Sequence, residues 1–490
     1  MLKLNTTQLD ALWNDGEAER TDMKKRRDYY RGLHAITKRR EEYVDGRPKT
    51  NRVVNWSKFA VELYVGALTS IPYQVSRVKP DDDTNNGPEI YSKVRDNNNL
   101  SAQDVENLRN SLVSGFGIGL HEFVDGVIYV TTQDPIEWLL IYDEGGILVG
   151  AIRRTTITAG QIHDGAPLDQ DIQIMYFYNE EGRFTYRQTA GMAAWTPTEE
   201  PFLRHFYDGV PVEVWTVNAN QESIITDDII DLIDEYDEIY SACGDDIRND
   251  VDALLVIVGV DRGWLLQPSD ADSTMTNAAA VRQSRVLPLS EGSSAEFLTK
   301  QISIERVVSH LVRTREHIHT AFGVPDIETI VGAVGSTSGI ALKLKFFSMM
   351  NRSTSIINYL KAGMRGRIDL LNATNGRLSG DKIEEVQINI QFSLPVNRLE
   401  EWQNIEKLKD VVTHRKQLEL LSDIDDPEAE LEAFEQERQN NKTPEELALE
   451  QEAAIDKAAR QLTPGLQKIL DGLGDGAVER LATTGLKGAS

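Results

Sequence analysis

Hydrophobic and polar positions change period several times along the chain, and each change predicts an element. Residues 6–36 carry helical spacing with a stop at Tyr29-Tyr30-Arg31-Gly32, where glycine can take the left-handed conformation. A polar turn through Asp45-Gly46-Arg47-Pro48 leads to a second helix over 53–68, closed by Ile71-Pro72. The stretch 80–88, with Asp81-Asp82-Asp83 and Asn85-Asn86-Gly87, reads as a surface loop whose aspartates are solvated. From Gly117 the period becomes two. Residues 120–124 and 127–131 flank Asp125-Gly126, a strong hairpin signal. Strand pairs are predicted for 138–142 with 147–153 and for 172–178 with 184–188, and one more strand for 212–217. Helices followed by a β-meander put the chain in the α+β class.

At Thr226 the helical period returns. Ile230, Ile233, Tyr236, Tyr240, Cys243, Ile247 and Val251 recur at steps of three or four, and Asp227, Asp228, Asp231, Asp234, Glu235, Asp237 and Glu238 fill much of the opposite side. Thr226, Asp227 and Asp228 suit the N-terminal cap. Residues 256–298 mix strand-like pieces (254–260 and 285–289) with polar turns (267–274 and 290–294). A helix over 304–322 stops at Gly323-Val324-Pro325. The small-residue loop 331–337 then opens a long helix from 338 to about 372. Further helices are predicted over 398–421, 426–440 and 444–462, before a Gly/Ala-rich end expected to fray.

The 490 residues, 40% hydrophobic and 27% charged, allow a sizeable core and two to four structural units. Cys243 is the single cysteine, so no internal disulfide forms and a reducing compartment fits. The first twenty residues lack the apolar core of a signal peptide, and the longest apolar run, 253–260, is far shorter than a spanning helix. The expectation is a soluble protein. The formal charge of −26, from 78 acidic and 52 basic residues, argues against a protein that grips nucleic acid. It suits one along whose wall DNA slides without sticking. Arg20 to Arg52 is the exception, with twelve Lys/Arg against five Asp/Glu, read either as a solvated face or as a basic surface for an acidic neighbour or nucleic acid.

No catalytic arrangement stands out from the sequence. The glycine-rich segment from Gly332 to Gly339 lacks the Gly-Lys-[Ser/Thr] ending of a phosphate-binding loop and no apolar strand precedes it. His317 and His319 stand two apart on a predicted helix and point in different directions, unlike a zinc pair. The acidic run from Asp227 to Asp252 could pass for a two-metal site, but a solvated or channel-lining helical face is the better reading. The chain is therefore expected not to be an enzyme, with no catalytic residues, no cofactor and no metal.

Four groups of residues resemble, in order, the portal family of long-tailed, double-stranded-DNA phages. The first is Tyr29-Tyr30-Arg31-Gly32-Leu33-His34 with Asn51-Arg52-Val53-Val54-Asn55-Trp56, Gly66 and Ile71-Pro72. The second is His205-Phe206, Val210-Pro211-Val212, Asp231-Leu232-Ile233-Asp234-Glu235-Tyr236-Asp237 and Ser241. The third is Phe322-Gly323-Val324-Pro325-Asp326 with Ser338-Gly339-Ile340-Ala341-Leu342-Lys343. The fourth is Leu394-Pro395-Val396-Asn397 and Glu400, with Asp423-Ile424-Asp425-Asp426-Pro427 and Glu430-Leu431. Each is weak alone; their common order over most of the chain is specific.

The resemblance implies a ring, usually of about twelve subunits, held by heterologous contacts at one capsid vertex. It implies a portal-type fold with a wing over 1–225, stem helices over 226–252 and 301–323, and a clip over 253–300. A tunnel loop follows over 324–337, then a spine helix and wing return over 338–395, and a crown with the tail over 396–490. The implied acidic stem residues are Asp227, Asp231, Asp234 and Glu238. The tunnel-loop residues are Asp326, Glu328, Val331, Gly332, Val334 and Gly335, and the clip residues are Arg262, Trp264, Leu265, Arg282 and Arg285. The implied partners are the terminase large subunit, a head–tail connector, major capsid and scaffolding proteins, and double-stranded DNA held without sequence preference. No membrane is involved; the location is the virion, and the host cytoplasm during assembly. Another oligomeric phage structural protein, such as a connector or minor capsid component, is the alternative, and a metal-dependent DNA-processing enzyme the third reading.

Overall fold

A computed structural model describes residues 3–39, 43–44, 47–48, 50–78, 85–124, 127–163, 166–167, 169–189, 194–251, 254–258, 294–298, 304–326, 339–378 and 386–393, with scattered positions at 267, 292, 383, 412–413, 417–418, 430–431 and 433–434. The chain divides into two units, Met1–Leu394 and Pro395–Ser490.

In the first unit the helices are α1 (Thr6–Asp15), α2 (Glu17–Arg31), α3 (Trp56–Thr69), α4 (Gly87–Asn98), α5 (Leu100–Ser114), α6 (Asp227–Val251), α7 (Ile304–Phe322) and α8 (Gly339–Leu378). The strands are β1 (Tyr43–Val44), β2 (Arg47–Pro48), β3 (Gln74–Arg77), β4 (Phe116–Val124), β5 (Val127–Gln133), β6 (Trp138–Tyr142), β7 (Leu148–Ile157), β8 (Ile162–His163), β9 (Ala166–Pro167), β10 (Ile172–Tyr178), β11 (Gly182–Thr189), β12 (Thr196–Arg204), β13 (Val212–Thr216), β14 (Leu254–Val258), β15 (Ser294–Leu298) and β16 (Val386–Asn389). The α+β expectation holds.

Local chemistry explains the element ends. Asn5 and Gln8 form a reciprocal capping box at the start of α1. The helix expected over 6–36 is broken at Gly16, which ends α1 and opens α2. Gly32 terminates α2 with φ +81°, as its place after Tyr29-Tyr30-Arg31 predicts. Asn55 caps α3 by accepting from the Lys58 amide at 2.9 Å. Gly115, between α5 and β4, has φ +94°, and a side chain there would also run into the Gln221 carbonyl.

The hairpin β4–β5 pairs Val124 with Val127 across the two residues that signalled it. A five-stranded antiparallel sheet runs in the order β12-β11-β10-β7-β6, and a three-stranded sheet in the order β13-β4-β5. Helix α1 covers the larger sheet by burying Leu9 among Ile152, Met175, Phe177 and Trp195. Asp10 fixes its rotation by accepting from Arg154 at 2.7 Å and from the Trp195 indole at 3.1 Å. The main core joins α2 to α8 through side chains such as Ala60, Tyr64, Leu112, Ile229, Ile233, Ile318, Phe322, Met349 and Leu360. Full burial of each large apolar side chain contributes about 1.5–3 kcal/mol before conformational entropy is counted.

Three pairings go beyond the sequence reading. Strand β13 returns to β4 instead of extending the meander, β12 adds an edge to the large sheet, and β3 pairs with β16. Strand β14 pairs with β15 in the register Leu254↔Leu298, so its partner begins at Ser294, where a polar turn was expected to end. The strand expected over 285–289 lies outside the described residues. Helix α8 continues to Leu378, past the expected end. In the second unit Gln417–Leu418, Glu430–Leu431 and Ala433–Phe434 are helical; the remainder of the predicted tail helices lies outside the described residues.

Candidate functional site

The acidic helix α6 is held by the basic N-terminal segment. Lys25 pairs with Asp227 at 2.9 Å, which holds the Asp227 carboxyl below its ordinary range. The Tyr29 hydroxyl donates to Asp234 at 2.7 Å, and burial together with that carboxylate raises the Tyr29 phenol well above its ordinary value. His34 stacks on Tyr29 at 4.7 Å and places Nδ1 2.5 Å from Asp237 Oδ2, both side chains fully buried. The Val54 amide donates to the other Asp237 oxygen at 3.0 Å. Arg39 reaches Glu238 at 3.1 Å, the Arg52 amide donates to Ser241 at 2.9 Å, and the Thr50 amide to Asp245 at 3.1 Å. Two runs of the first sequence group, Tyr29 to His34 and Asn51 to Trp56, therefore meet a run of the second, Asp231 to Ser241.

Helix α7 packs against α6. Its buried side carries Thr314, Ile318, His319 and Phe322. His319 packs edge-on against Trp56 at 5.3 Å and Phe59 at 5.7 Å, while His317 is exposed, so the two histidines diverge as their spacing predicts. Glu235 of α6 meets His310 of α7 at 3.0 Å. The helix ends at Gly323, φ +70°, over the Arg352 side chain, and the Tyr64 hydroxyl donates to the Phe322 carbonyl at 2.9 Å. Asp326 then turns back to Arg315 at 3.1 Å, its side chain 12% exposed. The third sequence group thus begins with a fixed helix exit.

A second polar centre lies between α8, α5 and the three-stranded sheet. Arg367 of α8 is fully buried and donates to both Glu213 oxygens at 2.7 Å and to Asp104 at 2.6 Å. His121 lies 2.9 Å from Glu213, and the Trp215 indole donates to Glu213 at 3.0 Å. Burial alone would raise the Glu213 carboxyl, but Arg367 and His121 outweigh it and hold it well below the carboxylate range. Burial prevails at Asp104, whose carboxyl is raised despite Arg367. Gly119 stands opposite Glu213 on β4, where any side chain would overlap the carboxylate.

The structure separates the expected stem residues into two kinds. Asp227, Asp234 and Glu238 are engaged by the N-terminal segment, whereas Asp231 is exposed and has no ion-pair partner among the described residues. Exposed pairs such as Glu238–Arg39 contribute about 0–1 kcal/mol, so they set local charge more than stability. Much of the basic stretch accordingly meets an acidic neighbour within its own chain. Of the tunnel-loop residues Asp326 is placed as above; Glu328, Val331, Gly332, Val334 and Gly335 lie outside the described residues. So do the clip residues Arg262, Trp264, Leu265, Arg282 and Arg285. Among the described residues no cluster of three metal-ligating side chains occurs and no helix is long and apolar enough to cross a membrane.

Sequence reasoning missed the Arg367 centre. Its signals were a lone glutamate in Val212-Glu213-Val214, alternating glycines at Gly117 and Gly119, and an arginine in the apolar series Leu360, Met364, Ile368 and Leu371. It also missed that His34 is a buried partner of the acidic helix.

Residues 9–444 match the model of a protein family. The chain belongs to the family described as phage portal protein, SPP1 Gp6-like, a family of structural proteins. No curated protein matches the chain. Among solved structures, it is similar at 12% identity and TM-score 0.43 to a chain of the neck of an empty GTA particle computed with C6 symmetry, covering 74% of this chain and 89% of that one. A chain of the neck of a native GTA particle computed with C12 symmetry gives 12% identity and TM-score 0.41, covering 75% and 89%.

Proposed function

We propose that this portal-family protein forms a ring of about a dozen subunits at one capsid vertex, the conduit through which double-stranded DNA enters and leaves the head. The family match over residues 9–444 carries the reading, and the order α6, β14–β15, α7 supports it as stem, clip and stem. In this reading the clip over 253–300 docks the terminase large subunit during packaging and a head–tail connector afterwards. The wing meets capsid and scaffolding proteins, and the tunnel loop follows α7. The protein supplies geometry while the terminase supplies energy from nucleotide hydrolysis. Native mass spectrometry with negative-stain imaging tests it: a closed ring of about a dozen copies with a central hole is expected. A chain that remains monomeric or dimeric even with its scaffold would overturn it and favour a connector or minor capsid component.

The acidic-wall idea now rests on fewer side chains. Asp234 is committed to Tyr29, so Asp228 and Asp231, exposed on α6, are the better probes. Reversing both to lysine is expected to leave ring mass unchanged and to slow DNA packaging several-fold, because cations on the wall would hold phosphates. Wild-type packaging by such rings would end the electrostatic reading without touching the conduit itself.

A further inference from the structure

The centre around Arg367 is unbalanced in charge. One cation on α8 is shared by two carboxylates, Glu213 of β13 and Asp104 of α5, and all three side chains are buried. The remaining titratable groups that face them are His121 on β4, Tyr91 on α4 and Tyr73 just before β3. Among the described residues Arg367 is the only Lys or Arg paired with either carboxylate.

Hydrogen bonding separates the two carboxylates. Glu213 Oε1 accepts from Arg367 at 2.7 Å and from the Trp215 indole at 3.0 Å. Its Oε2 accepts from Arg367 at 2.7 Å and lies 2.9 Å from His121 Nε2. Four donors on two oxygens suit an ionised group. Asp104 is served less well. Its Oδ1 accepts at 2.6 Å from Arg367 Nη2, a nitrogen already engaged with Glu213, and its Oδ2 is buried without a hydrogen bond of ordinary geometry. The Tyr73 hydroxyl lies close to this carboxyl and 3.0 Å from the Tyr91 hydroxyl, so a proton on Oδ2 has a neutral oxygen to turn to.

His121 does not make up the missing positive charge. One ring proton serves its bond to Glu213, and Nδ1 is buried with no hydrogen-bond partner among the described residues. A second ring proton would be a buried donor with nothing to receive it.

We propose that Asp104 holds a proton in the folded chain, so that docking α8 against α5 and the three-stranded sheet takes up one proton from water. Arg367 and Glu213 then form a neutral pair, which Asp104 joins as a neutral acid. Burial pushes the Asp104 carboxyl up against the pull of Arg367, in the same sense. The joint is thereby pH-sensitive, with a sign opposite to that of an ordinary aspartate–arginine pair. Because the folded value is raised, the contribution of Asp104 is fully present below the unfolded value of about 3.9 and declines as pH climbs towards the folded value. Glu213, whose folded value is depressed, acts in the other direction at the acid end. The coupling belongs to the folded subunit and does not need a ring.

Asp104→Asn in the full chain keeps an acceptor for Arg367 and puts an N–H donor where the acid O–H stands. Replacing an ionised partner in this way destabilises a buried ion pair, whereas replacing a neutral acid does not. The variant is expected to unfold at the same or a higher denaturant concentration than wild type at about pH 7. Its advantage should grow from about pH 5 upwards, by up to about tenfold in the folding equilibrium constant per pH unit, the limit for one proton. Wild-type protein supplies a second measurement. At about pH 7 its infrared spectrum in heavy water should contain a protonated-carboxyl stretch that shifts when aspartate alone carries carbon-13. A less stable Asp104→Asn without a pH trend would overturn the proposal, as would a labelled wild-type spectrum without that band. A band that persists in folded Asp104→Asn would also overturn it, by placing the proton on another aspartate.

Discussion

Replacing Arg367 with methionine is expected to destabilise the protein by about 3–5 kcal/mol, the usual cost of removing one partner from a buried ion pair. The change keeps an unbranched side chain of similar length but leaves Glu213 and Asp104 buried without their shared cation. It also frees α8 from β13 and α5, the elements carrying those carboxylates. The measurement is the midpoint of chemical unfolding, and a loss below about 1 kcal/mol would show that the centre is relaxed elsewhere. The sign of the pH dependence follows from Glu213, whose folded value is depressed. Its contribution is present above the unfolded carboxylate value of about 4.3 and is lost as pH falls through and below it. In the variant that depression is largely gone, because burial is left to raise the carboxyl. The gap between variant and wild type should therefore narrow as pH falls from about 7 towards about 4.

Asp237→Ala is expected to release the N-terminal clasp while the two large sheets persist. Asp237 is the buried acceptor for His34 and for the Val54 amide, so the change strands two donors. At about 1–3 kcal/mol for each buried donor left without a partner, the loss is about 2–6 kcal/mol. Hydrogen exchange should quicken over 29–54, and trypsin should cut within the basic stretch at lower doses. Asp237→Asn keeps one carbonyl oxygen, which can accept from only one of the two donors, and should fall between alanine and wild type. Unchanged protection in Asp237→Ala would mean that Tyr29 with Asp234 and Arg52 with Ser241 suffice to hold the segment.

Elements whose partners lie close in sequence were legible in advance. Asp125-Gly126 placed a hairpin because a two-residue turn fixes the register of its strands, and Gly32 ended α2 because its left-handed φ suits glycine. The helix over 304–322 was bounded correctly by periodicity and by Gly323 and Pro325. What escaped was pairing between distant segments. Nothing near Val212 names β4 as its partner, and nothing near Gln74 names Val386. The acidic face of α6 was legible as a face, but its division between clasped carboxylates and the exposed Asp231 depends on a segment some 200 residues earlier. Helical spacing tells which side a residue takes; it does not tell what arrives there.

The buried arginine also dictates an order of events during synthesis. The ribosome delivers Asp104 and Glu213 long before it delivers Arg367, and a chain emerging from the N-terminus cannot bury those carboxylates cheaply while the cation is missing. The small sheet can form its ladder early, yet its seat for α8 stays hydrated until that helix docks. A fragment released before residue 367 lacks the charge that closes its own interior. Such a fragment keeps Asp104 and Glu213 in water, so closing this interior requires a chain that extends through Arg367.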